Sequence, residues 1–344
     1  MTMKKSTFSL FVFGLALTLL MYNCKKSDPL EPDADLVEDL NKIEVAPVTL
    51  VTPTPVTTTP SSVTASAKTT EVATAIGSIA STGVVPASVK TSAAEVSGAL
   101  SPTEVSAMAT VTPATLAAVA GGGALPTDLK AVLDKAAANT ALKAYLPTFT
   151  LPAVNGQAVN GRSGASVPET IAQTDGLDGL AVSDECIAKA EEAFNTVKAK
   201  LDGTKAEEMA KVEQAYQTVI AALAGNEATC TAGIPAKYAA LRTAAQAIFD
   251  QTNASLDAAQ SVLGSDYALL KALNSISYLG YLSTLNNLQS ADVKACSSVT
   301  TAATAAAQAA RTTNTAAVNA AYNKALGEAN AARVELAQSC HNQG

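Results

Sequence analysis

The chain has 344 residues, a net charge of −7 and a sequence pI near 4.9. With 30 acidic residues against 23 basic ones and no basic run, it lacks the clustered Lys and Arg that phosphate binding requires, so nucleic acid is excluded as a partner. One histidine, His341, leaves imidazole catalysis and His-based metal sites without parts.

The N-terminus carries an address. Lys4 and Lys5 precede an uncharged, mostly apolar run from Ser6 to Tyr22, long for a signal h-region and short for a membrane-spanning helix. Cys24 follows at once. A thiol in that position is what a lipoprotein needs, since the sulfur becomes the thioether to diacylglycerol. Several acyl chains then anchor far more firmly than one. The segment Leu20–Cys24, LMYNC, resembles the relaxed lipobox of exported spirochaete lipoproteins of the Leptospira type. Tyr22 and Asn23 depart from the small and aliphatic residues of the usual pattern. The resemblance is confined to residues 1–24 and implies export, cleavage before Cys24, acylation there, and a lipid-anchored place in the cell envelope, at the outer membrane. It implies no activity. An uncleaved membrane helix with an incidental cysteine is the competing reading.

Residues 24–65 are acidic first, from Asp28 to Glu44, and then rich in Thr and Pro, with Pro47, Pro53, Pro55 and Pro60. Few large apolar groups are present to offset ordering entropy, which predicts a disordered stalk. No EF-hand spacing accompanies the acids. Residues 66–146 are rich in Ala, Ser and Thr and show repeated helix-start signals. Ser101-Pro102-Thr103-Glu104 has the form of a capping box, and Thr112-Pro113 and Pro126-Thr127-Asp128 precede further short apolar runs. The uncharged span Val105–Thr127 has the length of a membrane helix, but Pro113 and Gly121–Gly123 argue for short packed helices instead. Residues 147–183 form a linker punctuated by Gly, Asn, Pro and Ser. Within it, Phe149–Val159 resembles the first strand and turn of thioredoxin-like reductases and peroxiredoxins. Those families place a reactive Cys shortly downstream, whereas the next one here is Cys186, with no Cys-x-x-Cys. The repeated Val-Asn-Gly at 154–156 and 159–161 is better read as two turns or a small hairpin.

From residue 184 to 344 the pattern is all-α: an Ala-rich antiparallel bundle of helical hairpins. Ile187, Ala190, Phe194, Val197 and Leu201 form one apolar stripe, and Met209, Val212, Tyr216, Val219 and Leu223 a second. Asp202-Gly203, with Thr204 and Glu207 behind it, predicts a turn between them. A third helix runs near Ala236–Leu263, with Tyr238, Leu241, Ala245, Ile248, Ala259 and Val262 inward. A fourth, Asp266–Gln289, is apolar nearly all round and predicts the most buried helix, or else a Tyr/Leu face for a partner. Asp292–Gln338 is extreme in alanine, which lets helices approach closely while burying little area.

Four cysteines lie in this part: Cys186, Cys230, Cys296 and Cys340. The spacings are 230 − 186 = 44, 296 − 230 = 66 and 340 − 296 = 44. In an exported chain these predict two disulfides; zinc sites normally bring ligands in close pairs, and none is close here. Cys186–Cys230 with Cys296–Cys340 would clasp a duplicated hairpin, which aligns Thr312-Thr313-Asn314 with the Gly203 turn but needs its second turn nearer Ala317 to bring the cysteines within reach. Cys186–Cys296 with Cys230–Cys340 would tie parallel helices. The hairpin pairing is narrowly preferred for the quality of the Gly203 turn.

No GxSxG, HExxH, P-loop or GxGxxG stands at a strand–helix junction. Glu191, Glu192, Glu207 and Glu208 lie opposite the apolar stripes, as solvated faces do. The sequence therefore predicts a non-enzymatic envelope lipoprotein with no catalytic residue, metal or cofactor. Its membrane contact is through the anchor, and its role is binding or structural, with a protein partner on the cell surface or in a host. A periplasm-facing carrier of a small apolar ligand in the bundle is the alternative.

Overall fold

The computed structural model describes residues 31–160 and 185–341, and 77% of it is helical with 4% strand. Cys24, the signal segment, residues 161–183 of the expected linker and residue 184 lie outside the described residues. Along the chain, helix α1 (Ala34–Asn41) is followed by strands β1 (Thr58–Thr59) and β2 (Ser62–Thr64). Short helices come next: α2 (Ala67–Thr82), α3 (Ala87–Ala99), α4 (Pro102–Ala109), α5 (Pro113–Ala120), α6 (Thr127–Ala138) and α7 (Thr140–Lys143). Strands β3 (Thr148–Thr150), β4 (Ala153–Val154) and β5 (Gln157–Ala158) then precede α8 (Glu185–Leu223), α9 (Asn226–Ala232), α10 (Ile234–Ala258), α11 (Gln260–Leu263) and α12 (Asp266–His341). The all-α class is as the sequence implies. Contacts divide the chain into one unit of Met1–Pro53, Pro168–Val219 and Ala307–Gly344 and another of Thr54–Val167 and Ile220–Ala306.

In the first unit, α8 and the last part of α12 run antiparallel. Cys186, Ala190, Phe194, Val197, Leu201 and Val212 are buried on α8, facing a seam of Ala307, Ala310, Asn314, Val318, Tyr322, Ala325, Ala329, Leu336 and Cys340. Steps of three and four keep each seam on one helix face. The turn predicted at Gly203 does not form; α8 passes straight through it. A mid-helix glycine costs about 1 kcal/mol relative to alanine, and the packing around it outweighs that. Asp202 accepts from Lys198 one turn earlier and from the Tyr322 hydroxyl of α12, while the Thr204 hydroxyl donates back to the Lys200 carbonyl instead of capping a new helix. The second predicted turn is absent for the same reason. Thr312 and Thr313 donate back to the carbonyls of Gln308 and Ala309 within α12.

The stalk expected over 24–65 is corrected. Residues 31–53 lie along this helix pair and residues 58–64 contribute β1 and β2 to the second unit instead of being disordered, and only 24–30 of the expected stalk fall outside the described residues. Asp33 caps α1 by accepting from the Asp35 amide at 3.0 Å. Leu40 is fully buried and Val45 nearly so, in one cluster with Phe194, Val197, Leu201 and Tyr322. Glu31 meets Lys189 at 3.1 Å and Glu44 meets Lys200 at 2.8 Å, so the segment runs parallel to α8. The Asn314 amide then clamps the extended chain, accepting from the Val51 N–H at 2.7 Å and donating to its carbonyl at 3.0 Å.

In the second unit, α2–α7 share one core with α10 and the start of α12. Residues 66–146 are therefore part of that core, not a segment set apart from the helical bundle. The caps are those the sequence signals: Ser101 and Glu104 form the reciprocal capping box of α4, and Thr112 caps α5. The uncharged Val105–Thr127 span breaks into α4, α5 and a glycine turn, with Met108 and Val119 buried. Among the described residues no single helix is long and apolar enough to cross a membrane; α2 and α3 reach that hydropathy only as a pair bent by 119°. The start of α12 is buried as predicted, from Leu270 to Leu288. Ile248 and Val262, predicted inward, are 55% and 39% exposed. β1, β4 and β5 form one small antiparallel sheet and β2 pairs with β3 in another. Asn155 at φ 50° and Gly156 at φ 76° make the tight β4–β5 hairpin turn expected of Asn-Gly. These strands have no βαβ crossover, so the thioredoxin-like likeness ends at the turn.

All four cysteines are paired, but neither weighed pairing occurs. The bridges are nested: Cys186–Cys340 in the first unit and Cys230–Cys296 in the second, with Cα separations of 5.9 and 5.8 Å. Uninterrupted helices cause this, since without turns at 203 and 312–314 the hairpin partners cannot meet. Each bridge closes a loop of 154 or 66 residues, worth about 4–5 kcal/mol in the chain-entropy limit. Non-reducing peptide mapping should recover these two linked pairs and no other, and reduction should lower the melting temperature. Leu40→Ala should lower stability by about 2–5 kcal/mol in urea titration; an effect within error would show that residues 31–53 do not pack.

Candidate functional site

The chemistry-bearing residues of the second unit gather in two polar clusters and one cleft. The first cluster joins the β1–β2 turn to two long helices. Asp292 Oδ2 of α12 accepts from Ser61 Oγ at 2.9 Å, Lys237 Nζ at 2.9 Å and the Tyr238 hydroxyl at 2.8 Å. Lys237 also donates to Ser61 Oγ at 3.1 Å. A serine, a lysine and a carboxylate this close invite comparison with a nucleophile and its base. The hydrogen-bond directions point elsewhere. Lys237 acts as donor to Ser61, so it cannot in that state accept the hydroxyl proton, and the serine proton is committed to Asp292. The cluster ties β1–β2, α10 and α12 together. Sequence reasoning passed over it because its members come from three separate elements; only the adjacent Lys237-Tyr238 pair could have signalled it.

The second cluster repeats the design. The Tyr145 hydroxyl donates to Glu95 Oε2 at 2.5 Å and lies 2.7 Å from Ser92 Oγ, and Lys68 donates to both Glu95 oxygens at 2.8 and 2.7 Å. Burial works to raise the Glu95 carboxyl, but bonds from Lys68 and Tyr145 prevail and hold it below its ordinary value.

The cleft lies between α10 and α12 and has a volume of about 120 Å³. Phe249, Tyr278 and Tyr281 form much of its wall, with Thr69 contributing from α2 and Tyr145 from the turn after α7. Phe249 and Tyr278 stack with ring centroids 4.6 Å apart. Two wider open depressions, of about 600 and 500 Å³, flank Lys271 and are lined by more polar side chains.

Among the residues singled out from sequence, Cys24 lies outside the described residues, and Cys186, Cys230, Cys296 and Cys340 are all in bridges. No group of three or more His, Cys, Asp or Glu side chains is placed to hold a metal ion among the described residues. Glu191 and Glu208 sit in ion pairs with Arg333 and Lys211, while Glu192 and Glu207 are exposed. No protein family, characterised protein or solved structure matches the chain.

Burial pushes the Tyr238 hydroxyl up to about 12, with the Asp292 charge adding to it. Burial likewise raises Tyr145, Tyr278 and Tyr281. A group whose folded-state pKa is raised contributes stability that is complete below the unfolded value, near 10, and disappears as pH climbs through the folded value. Stability should therefore fall between about pH 10 and 12. Tyr238→Phe, which cannot ionise, should show a shallower fall in that window in urea titrations, together with a loss of about 1.5–3 kcal/mol at neutral pH from the charge-assisted hydrogen bond to Asp292 that it removes.

Proposed function

We propose that this chain is an exported envelope lipoprotein, anchored at the outer membrane through acylated Cys24, with a binding or structural role rather than an enzymatic one. The observation that carries the reading is the use of its cysteines. Of five in the chain, four are taken up in two disulfides, the pattern of an oxidising compartment, and the one left over is Cys24 at the end of the apolar signal segment. The described chain begins beside the stapled end of the α8–α12 pair, where Glu31 meets Lys189. Seven residues from Cys24 span at most about 25 Å, so the anchor holds that end close to the membrane surface. The exposed helix faces then serve a protein partner on the cell surface or in a host. A carrier of a small apolar ligand is the alternative, favoured by the aromatic cleft.

Cys24→Ala should abolish incorporation of labelled palmitate and leave uncleaved precursor; continued labelling would refute the anchor. Proteolysis of intact cells distinguishes outward display from a periplasmic location, and protection of the whole chain would remove the host-contact role.

A further inference from the structure

We propose that the cleft between α10 and α12 is a binding site for one aromatic ring system, phenol- to indole-sized, carrying a single hydrogen-bonding group. This deepens the carrier reading and is independent of the lipid anchor.

Size sets the ligand class. A cavity of about 150 Å³ accommodates benzene, whereas drug-sized ligands occupy roughly 300–1,000 Å³. At about 120 Å³ this open cleft holds about one ring, with the remainder of a larger ring system at its mouth. Its concavity has a sequence origin. Ala244 and Ala245 stand on α10 between Leu241 and Ile248, so the helix face steps back by the depth of a large side chain at the point where Tyr278 and Tyr281 of α12 oppose it.

The walls suit an aromatic occupant. Only 4% of the chain is aromatic, yet three of its eight tyrosines line this one cleft with Phe249. The Phe249–Tyr278 stack fixes one wall, and the Tyr278 hydroxyl is bound to Gln246 Oε1. Offset or edge-on ring contacts favour an aromatic guest beyond area burial, which an aliphatic guest of equal size forgoes.

The polar groups supply one anchoring bond. The side chains of Thr69, Asn274 and Ser277 are already engaged: Thr69 Oγ1 donates to the Tyr145 carbonyl, Asn274 Nδ2 donates to the Phe249 carbonyl, and Ser277 Oγ lies 3.4 Å from Thr69 Oγ1. Tyr281 differs. It is half-buried, partial burial raises its hydroxyl so that it is a neutral donor at physiological pH, and among the described residues its side chain makes no hydrogen bond. It is therefore free to bond a ring bearing a hydroxyl, amine or indole N–H.

The absence of tryptophan gives a clean assay, since indole can be excited beyond the tyrosine band. Titrating the full-length chain into indole should give a saturable rise in anisotropy that p-cresol reverses and cyclohexanol does not. Ala244→Phe, at an exposed position on the rim, should abolish the signal while leaving the helical circular dichroism intact; Ala245→Leu is the second, more buried obstruction. Tyr281→Phe should weaken p-cresol about fivefold, one hydrogen bond's worth, and leave toluene unchanged. No saturable binding at millimolar indole, or full binding by folded Ala244→Phe, would overturn the site. Native mass spectrometry of envelope-derived protein separates the two failures: a retained ligand of another class would overturn the ring assignment while preserving carriage.

Discussion

Alanine sets the central physical constraint on this molecule. The α12 seam in the first unit relies on Ala307, Ala310, Ala325 and Ala329 as much as on Val318, Tyr322 and Leu336. An alanine methyl brings helix backbones close but removes little surface from water, about 0.8 kcal/mol per buried carbon, where a leucine or phenylalanine brings about 1.5–3. An antiparallel pair built this way leaves a groove and a shortfall in buried area. Residues 31–53 meet both needs, because Leu40 and Val45 fill what the alanines leave open and Asn314 fixes the register of the added segment.

The few aromatic rings are used as pins between elements. Tyr145 pairs with Glu95 and Lys68, Tyr238 with Asp292 and Lys237, Tyr267 with Asp257 and Lys271, and Tyr322 with Asp202 and Lys198. In each case the hydroxyl donates to a carboxylate that also takes a lysine. A cation lies over each ring, at 4.5 Å for Tyr145, 5.1 Å for Tyr238, 5.7 Å for Tyr267 and 4.3 Å for Tyr322, where Lys205 fills the place. Exposed ion pairs contribute little alone. A carboxylate shared between a tyrosine and a lysine is different, since the ring brings apolar area, a charge-assisted hydrogen bond and a cation–π contact to one point.

Much of the helical content was legible from spacing. The α8 stripe through Phe194, the buried start of α12, the Ser101 box and the Asn155-Gly156 turn all follow from local rules. What was not legible follows from contacts that local rules cannot see. Gly203 and Thr204 form a good stop-and-start signal, and the hydroxyl of Tyr322, 120 residues away, joins Lys198 in holding Asp202 within a continuous helix. The acidic segment lacks enough apolar residues to fold alone, and its order comes from Lys189, Lys200 and the alanine groove. The cleft draws its lining from residues 65 to 281, so no window of sequence contains it.

Within the first unit one antiparallel register holds throughout: Asp202 with Tyr322, Glu213 with Arg311 and Glu191 with Arg333 all sum to 524, and the Cys186–Cys340 bridge, summing to 526, closes the same ladder. The equal spans of 44 residues invited a duplicated hairpin, but that needs two turns, and neither Gly203 nor Thr312–Asn314 supplies one. The placement of the outer bridge has its own logic. Cys186 is the second residue of α8 and Cys340 the next to last of α12, where terminal N–H and C=O groups are unsatisfied and helices fray. An alanine seam resists fraying least at its ends, and there the chain places a covalent bond that does not depend on buried area.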